Sequence, residues 1–288
     1  MTTIWAGLAT GALYSLVAIG YNVVLLASGV VNFANAYLIM IGTFLAYVCL
    51  VDWGLPVAAA IPLTGLAVAV IAVVEERIAI RPLLNRHGGH AALITTVGVG
   101  TLLGGIAAKV WGTEPVKVPS PFSAEPLTLL GGTIQRNDLV LILLVLALGV
   151  GLHLWSRRTL LGLASLATAE NRQAAQARGL NVRALGLGAF ALAGLIAGLF
   201  AVFVAGRTYA HFHLGETLAL FGFVAIAIGG SGSQLGGLIG GFTIGLLYAV
   251  TARYVGDSYP QIVVFAVFLL ILLTRPRGLF GGAAERQV

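Results

Sequence analysis

The sequence predicts an all-α polytopic membrane protein, and three observations point to this fold class. Only 9% of the 288 residues are charged, and the mean hydropathy is +1.00. Five or six windows of roughly 20 residues carry no charged side chain, and about 20 apolar residues are needed for one helical crossing of a bilayer. A soluble domain would need far more charge on its surface. Residues 1–288 are therefore predicted to form a single transmembrane domain.

The predicted membrane helices follow the apolar runs of the chain. The run from Leu218 is short and ends in GGSGS, as a broken or re-entrant helix would, so eight or nine passes are expected. Loops between runs do not exceed about 30 residues, which leaves no room for a separate ATPase domain. In chain order, the apolar runs cover about 4–26, 30–51, 57–74, 91–111, 139–155, 184–204, 218–228, 235–252 and 261–274.

Arginines are concentrated in the loops of one predicted side. Because cytoplasmic loops are enriched in Lys and Arg, the side with eleven arginines is predicted to face the cytoplasm. The C-terminus is then inside, while the N-terminus is outside with nine passes and inside with eight. The arginine-rich side has Arg77, Arg81, Arg86, Arg157, Arg158, Arg172, Arg178, Arg183, Arg275, Arg277 and Arg286. The other side has Lys109, Lys117, Arg136, Arg207 and Arg253.

Glycines recur at four-residue spacing in several apolar runs. Gly232, Gly236 and Gly240 are the clearest series. This spacing places small residues on one helix face, where a second helix backbone can approach closely. The series therefore predicts tight helix packing and is not specific for a function.

The longest basic segment between membrane passes covers about residues 156–188. Its middle, about 166–178, is rich in Ala, Gln, Arg and Glu and predicts a short helix, which Gly179 would end. A solvated connector would have the same composition. The alternative is a docking surface, because no other predicted cytoplasmic loop is large enough to receive a partner.

Other polar residues give weaker signals. His211 and His213 lack enough convergent ligands for a metal site, and no catalytic residues are predicted. The net charge of +6 is explained by membrane orientation, so no nucleic acid partner is expected. Glu75 and Glu76 are expected to pair with nearby arginines at a helix exit. The middle of each apolar run lacks a carboxylate, which argues against a proton-coupled carrier.

Four stretches carry a resemblance that covers nearly the whole chain. They are GALYSLVAIGYNVVLLASGVVNFANAYLIMIGTFLA, RPLLNRHGGHAALITTVGVG, ENRQAAQARGLN followed by FALAGLIAGLFAVFVAG, and GGSGSQLGGLIGGFTIGLLYA with TRPRGLFG. In this order, they resemble motifs of the inner-membrane permeases in the branched-chain amino acid family of ABC importers. The resemblance implies one permease domain over residues 1–288, with a cytoplasmic coupling segment at about 156–188.

The resemblance also implies partners and a location in the bacterial cytoplasmic (inner) membrane. A second permease chain, homologous or identical, would complete the path, two ATP-binding subunits would dock on the cytoplasmic side, and an extracytoplasmic substrate-binding protein would deliver cargo. This chain lacks a GxxxxGK[ST] motif, so ATP and Mg are expected in the partner and no cofactor in this chain. The residues that match the coupling motif are Glu170, Asn171, Arg172, Ala175, Arg178, Gly179 and Leu180.

The first motif departs from the family pattern after Asn-Phe-Ala, where His-Gly is common and this chain has Asn35 and Ala36. A changed residue there is compatible with a changed cargo. Neutral polar groups within apolar runs must face protein or water, where they either bond between helices or line a path. The candidate path residues are Asn32, Asn35, Thr95 and Thr96, although threonines also bond back to their own helix.

Together these features predict a permease subunit that moves branched-chain or related hydrophobic amino acids by alternating access. An importer of the same family for amides, urea, or aromatic or other carboxylates is one alternative. A stand-alone secondary carrier and an intramembrane enzyme are others. The carrier would transport alone on an ion gradient, and the enzyme would need paired catalytic groups within the apolar runs.

Overall fold

The structure is a computed structural model that describes residues 1–84, 88–122, 125–129, 131–275 and 278–280. Three of the arginines used to predict orientation, Arg86, Arg277 and Arg286, lie outside the described residues. Helices dominate the described chain, which confirms the all-α polytopic class. They are α1 (Thr2–Ser28), α2 (Ala34–Tyr47), α3 (Val57–Glu75), α4 (Arg81–Leu84), α5 (Gly88–Trp111), α6 (Arg136–Arg158), α7 (Leu160–Glu170), α8 (Arg172–Ala177), α9 (Val182–Thr208), α10 (Leu214–Gly229), α11 (Gln234–Tyr254) and α12 (Pro260–Thr274).

Seven described helical segments are long and apolar enough to cross a membrane. Two of them extend by a π-helical turn, α2 through Val48–Asp52 and α3 through Glu76–Ile80. Helices α10 and α12 are apolar but have only 16 and 15 residues. At 1.5 Å per residue they span about 24 and 22 Å, less than a hydrocarbon core of about 30 Å.

A short hairpin marks one end of the helix bundle. Strands β1 (Pro126–Leu129) and β2 (Gly132–Gln135) pair antiparallel, directly before α6 begins. The indole Nε1 of Trp5, in the first turns of α1, donates to the carbonyl of Leu129 at 3.2 Å. The N-terminus therefore lies at this hairpin end. The opposite end, which carries α7 and α8, is called the arginine-rich end below.

Helix α1 is the centre of the bundle. In its best membrane window 83% of residues are buried, against 28% for α3, α5 and α6. Tyr21, Leu16 and Ile19 are among its fully buried side chains. The outer helices expose large apolar side chains, as helices that face lipid do.

Glycines allow α11 to pack against both α1 and α10. A Cβ added at Gly240 would overlap the carbonyl oxygen of Ala225 in α10, and one at Gly236 would overlap that of Gly229. On another face of α11, a Cβ at Gly245 would overlap the backbone of Gly11 in α1. These contacts are closer than side chains allow, so the residues at the crossings must be small.

Gly232 is not part of this packing face, so the prediction that grouped it with Gly236 and Gly240 is wrong. It lies in the turn before α11, with φ of +85°. The nearest atom to an added Cβ is 3.8 Å away, on Leu26. Gly232 therefore serves a left-handed turn conformation that other residues rarely adopt.

The short helix α10 ends where the C-terminal segment meets it. The amide N–H groups of Leu279 and Phe280 donate to the carbonyls of Ile228 and Gly229 at 2.8 and 3.0 Å. These carbonyls belong to the last turn of α10, which has no partners inside its own helix. Two residues of the TRPRGLFG stretch thus donate hydrogen bonds to carbonyls at the C-terminal end of α10.

Candidate functional sites at the two ends of the bundle

The segment predicted to couple to a partner forms two helices, and the prediction of one helix over about 166–178 is wrong. Asn171 separates α7 from α8 with φ −153° and ψ 101°. Its side-chain oxygen accepts a hydrogen bond from the amide of Ala174 at 2.9 Å and so caps α8. Asn favours this capped break because its side chain replaces the missing intrahelical partner.

Helix α8 ends at Ala177, and Gly179, where the sequence places the stop, is the second residue beyond the helix. Gly179 has φ of +84° and its position is open to solvent. The amide of Leu180 donates to the carbonyl of Ala175 at 3.1 Å, and that of Gly179 to Gln176 at 2.9 Å. This pair of bonds is a Schellman motif, which requires the left-handed residue.

One side of α8 is attached to the bundle, and the other is exposed. The Arg172 guanidinium donates to the carbonyl of Ser28, the last residue of α1, at 2.9 Å. Ala175 is buried, whereas Glu170, Asn171, Arg178 and Gly179 are exposed. A cation at a helix C-terminus is favourable because the last carbonyls carry partial negative charge. The structure thus links an exposed helix directly to the most buried one.

Two carboxylates lie inward near this end, and their predicted pairing with arginines is seen only in part. Glu76 lies near the predicted Arg81 and Arg77, whereas Glu75 faces Asn32. Glu75 and Glu76 are 5% and 4% exposed. Among the described residues, neither forms an ion pair. Glu76 instead shares a small pocket of about 20 Å³ with Arg81 and Arg172. Glu75 is thus a buried acid within a candidate membrane span. The lack of acids in the middle of the apolar runs is therefore weaker evidence against a proton-coupled carrier.

The Asn32 side chain caps a helix, and Asn35 packs between two helices. Asn32 Oδ1 accepts from the amide of Ala34 at 3.0 Å, and its carboxamide faces Glu75. Its Nδ2 has no hydrogen-bond partner within the described residues. Asn35 is 1% exposed and lies against Gly20 of α1, where an added Cβ would strike its amide.

The two threonine candidates bond back to their own helix. Thr95 Oγ1 donates to Ala91 at 2.9 Å and Thr96 Oγ1 to Leu93 at 2.8 Å. These threonines, Asn32 and Asn35 do not line the small pocket beside Glu76 or either of the two larger cavities described below. The structure therefore does not gather the four predicted path residues around one space.

Asn22 joins α1 to the turn between α10 and α11. Its Nδ2 donates to the carbonyl of Ser233 and its Oδ1 accepts from the amide of Gly232, both at 2.8 Å. Asn22 is fully buried. Both ends of one amide are thus used to hold an irregular backbone inside the protein, which is how such a turn is tolerated at depth.

At the hairpin end lies a partly buried ion pair that the sequence did not predict. The Arg207 guanidinium binds Asp138 Oδ2 and also donates to Thr10 Oγ1 at 3.0 Å. These residues come from α9, α6 and α1. Asp138 is the third residue of α6 and directly precedes the apolar run 139–155. An acid at the start of a membrane helix was the signal that could have flagged it.

The ion pair borders an open cleft of about 490 Å³ at the hairpin end. His211, on its rim, has a lowered pKa because burial and then the nearby His213 disfavour its charged form. His213 lies 3.7 Å from Glu216. No group of three or more potential metal ligands occurs in the part of the chain that the structure describes.

A second cavity, of about 500 Å³, lies at the arginine-rich end between α1, α6, α7, α9 and α11. Apolar side chains such as Leu26, Trp155 and Leu192 dominate its lining. The two ends therefore differ in chemistry, since a partly buried ion pair lines the hairpin-end cleft, whereas the residues that line this cavity carry no charge.

The chain is similar to known transport proteins over almost its full length. The family described as the permease component of branched-chain amino acid transport systems matches residues 3–272. The high-affinity branched-chain amino acid transport system permease protein BraD of Pseudomonas aeruginosa is 28% identical, over 98% of this chain and 96% of that protein. LivH of Escherichia coli, a protein of the same description, is 27% identical over the same shares.

Two more distant likenesses were found. A probable branched-chain amino acid transport permease protein, LivH of Methanocaldococcus jannaschii, is 24% identical over 92% of this chain and 88% of that protein. A chain in the solved structure of PsaBC from Streptococcus pneumoniae in complex with Fab superposes with a TM-score of 0.49 at 15% identity. That superposition covers 96% of this chain and 93% of the other.

Proposed function

Because this chain belongs to the permease component family of branched-chain amino acid transport systems, we propose that it is the membrane subunit of an ATP-driven importer for branched-chain or related hydrophobic amino acids. Its partners would be a second permease chain, two ATP-binding subunits and an extracytoplasmic substrate-binding protein. ATP and Mg would bind to the ATP-binding subunits, and this chain would hydrolyse nothing. The assembly would lie in the cytoplasmic (inner) membrane of a bacterium.

The attachment of α8 carries the mechanistic part of the proposal. Helix α8 exposes Arg178 and Gly179, and Arg172 joins it to the last carbonyl of α1. A partner that moves α8 would therefore act on α1, the most buried helix of the bundle. Helix α1 packs closely on α11 through Gly11 and Gly245, so this movement would reach further helices.

In this proposal the arginine-rich end faces the cytoplasm, where the ATP-binding subunits dock on the coupling segment. Glu170, Asn171, Arg178, Gly179 and Leu180 would make the contact, while Arg172 and the buried Ala175 would hold α8 on the bundle. The hairpin end then faces the substrate-binding protein. Binding and hydrolysis of ATP would open the two ends of the path in turn, which is alternating access. Packed interiors switch between discrete arrangements more readily than they deform continuously, which suits rigid helices that rock.

The coupling proposal is tested with Arg178→Glu in the complete complex, reconstituted in proteoliposomes with its substrate-binding protein. We expect ATP-dependent leucine uptake to fall about tenfold or more, because a charge reversal at an interface introduces like-charge contacts of several kcal/mol. The chain should still insert and assemble, since Arg178 touches solvent and not the core. Uptake and ATP hydrolysis are measured in the same vesicles.

The matched control is Arg253→Glu, which reverses an exposed arginine at the end of α11, at the hairpin end. It should leave the coupling of hydrolysis to uptake unchanged. Parental coupling in Arg178→Glu would contradict the docking surface. Uptake by the permease without ATP-binding subunits, driven by an ion gradient, would instead favour a secondary carrier.

The cargo is proposed from the relatives, whose descriptions name branched-chain amino acids. Amides, urea, and aromatic or other carboxylates are the alternatives, which competition for uptake would distinguish.

We keep Asn32, Asn35, Thr95 and Thr96 as candidates for the path. Asn35→Leu should change the uptake rate per assembled complex or the cargo preference, whereas Asn32→Leu should mainly reduce assembly, because Asn32 caps α2. If Asn35→Leu changes only the amount of complex, Asn35 is structural.

A further inference from the structure

The hairpin-end cleft combines a partly buried ion pair with an apolar wall. Its volume of about 490 Å³ lies in the range of small-molecule sites, about 300–1,000 Å³. Thr10, Asp138 and Arg207 form the polar side, and Leu13, Leu214 and Leu218 are the apolar residues. Five helices meet here, namely α1, α6, α9, α10 and α11.

The ion pair leaves hydrogen-bonding capacity on its acidic side. Asp138 is 8% exposed, and its Oδ2 is taken by Arg207. Its other oxygen, Oδ1, is buried and has no hydrogen-bond partner within the described residues. A buried carboxylate oxygen without a donor is costly, so it calls for a ligand or another explanation.

The basic side also has donors to spare. A guanidinium has five N–H groups, and the bonds seen here go to Asp138 and Thr10. The Arg207 side chain is 20% exposed. Donors are therefore available for a carboxylate, which a guanidinium can bind through two parallel bonds.

We propose that this cleft binds the zwitterion of a free apolar amino acid, with its carboxylate on Arg207, its ammonium on the Asp138 carboxylate, and its side chain against Leu13, Leu214 and Leu218. The inference rests on the proposed function, in which the hairpin end receives cargo from the substrate-binding protein. Because both cargo charges meet a partner of opposite sign, neither is left uncompensated on entry.

The test measures cargo binding to the permease assembly with its ATP-binding subunits in nanodiscs, without the substrate-binding protein. Saturation-transfer NMR detects weak binding at millimolar ligand. The probes are L-leucine, L-leucinamide, which lacks the carboxylate, and 4-methylpentanoate, which lacks the ammonium. The parent should bind leucine at least about tenfold more tightly than either analogue, since a charge-assisted bond is worth about that factor.

Each variant should erase the preference for one charged group. In Arg207→Gln, leucine and leucinamide should bind equally, while in Asp138→Asn leucine and 4-methylpentanoate should bind equally. Arg136→Gln is the matched control, because it removes a half-exposed arginine of the same end that pairs with Glu125. It should keep the parental preferences.

A further variant leaves the ion pair intact, in case its loss prevents assembly. Thr217→Trp would fill the cleft from an exposed position on α10 and should abolish leucine binding. The neighbouring Glu216→Trp is its control, because Glu216 is exposed and does not line the cleft. Leucine binding by Thr217→Trp equal to that of its control would overturn the site.

Two other results would also overturn the inference. The first is parental leucine binding in the double variant Asp138→Asn/Arg207→Gln, which would make the ion pair purely structural. The second is leucine uptake by the full parental system without any binding in the nanodisc experiment. If the full parental system takes up no leucine at all, the proposed cargo is wrong. If it takes up leucine but the permease assembly does not bind it, the proposed binding site is wrong.

Discussion

Helices α11 and α8 both depend on glycine, and the difference between them separates the bundle core from its exposed attachment. In α11, Gly236 and Gly240 are small because neighbouring backbone occupies the space of a Cβ. At the end of α8, Gly179 has open space around it and a φ of +84°. Distant elements therefore constrain the first kind of glycine, while the local chain direction constrains the second.

The largest effect is expected from Gly240→Leu, which would drive a side chain into the carbonyl of Ala225. Overpacking of this kind costs about 1–3 kcal/mol and displaces a helix. Assembly of the complex should fall sharply, as measured by detergent-resistant complex on size exclusion. Gly105→Leu in α5 is the control, since nothing lies within 4 Å of an added Cβ there. If Gly240→Leu assembles like the parent, the α10–α11 contact does not require a small residue at this position.

Asn22→Leu tests whether the core also depends on a polar bridge. The change removes both bonds to the 232–233 turn and leaves the partly buried amide of Gly232 without its acceptor, at a cost of about 1–3 kcal/mol. The Ser233 carbonyl keeps its bond from the amide of Gly237. The thermal midpoint of the purified complex should fall. Equal midpoints for the parent and Asn22→Leu would contradict the bridge.

Gly179→Val tests the attachment in isolation from the core. A β-branched residue resists φ of +84°, so the end of α8 should unwind at a cost of about 1–3 kcal/mol of local strain. Uptake should uncouple from ATP hydrolysis while the complex remains assembled. Gly179→Asn should lose much less, since Asn tolerates this conformation. Equal coupling in the Val and Asn variants would show that the left-handed turn is not required.

The smallest effect is expected from Asn171→Ala, which removes the cap between α7 and α8. Loss of an N-cap costs about 0.5–2 kcal/mol, and here it acts on a helix of only six residues. Protease cleavage near residue 171 should become faster in the assembled complex. Asn171→Ser, which keeps a capping oxygen, should restore protection. If all three proteins are cleaved at the same rate, Asn171 does not hold the break.

The helices and their approximate limits could be predicted, but the polar site at the hairpin end could not. Apolar runs are read from neighbouring residues, and Gly179 stops a helix for a local reason. Asp138 and Arg207 lie 69 positions apart, and nothing local indicates that they meet. The same is true of Glu75, which the sequence places beside arginines and the structure turns inward, next to Asn32.

The sequence by itself determined that the protein lies in a lipid bilayer, that it is helical and to which family it belongs. A hydrocarbon environment forces every backbone polar group into internal hydrogen bonds, so long uncharged runs have little choice but helix. Tertiary structure decided which polar groups are buried, which glycines pack and which turn, and where a cleft remains. Those outcomes depend on which parts of distant helices contact each residue. Gly232 and Gly240 are the same residue type, but Gly232 lies in a turn and Gly240 packs against a neighbouring helix.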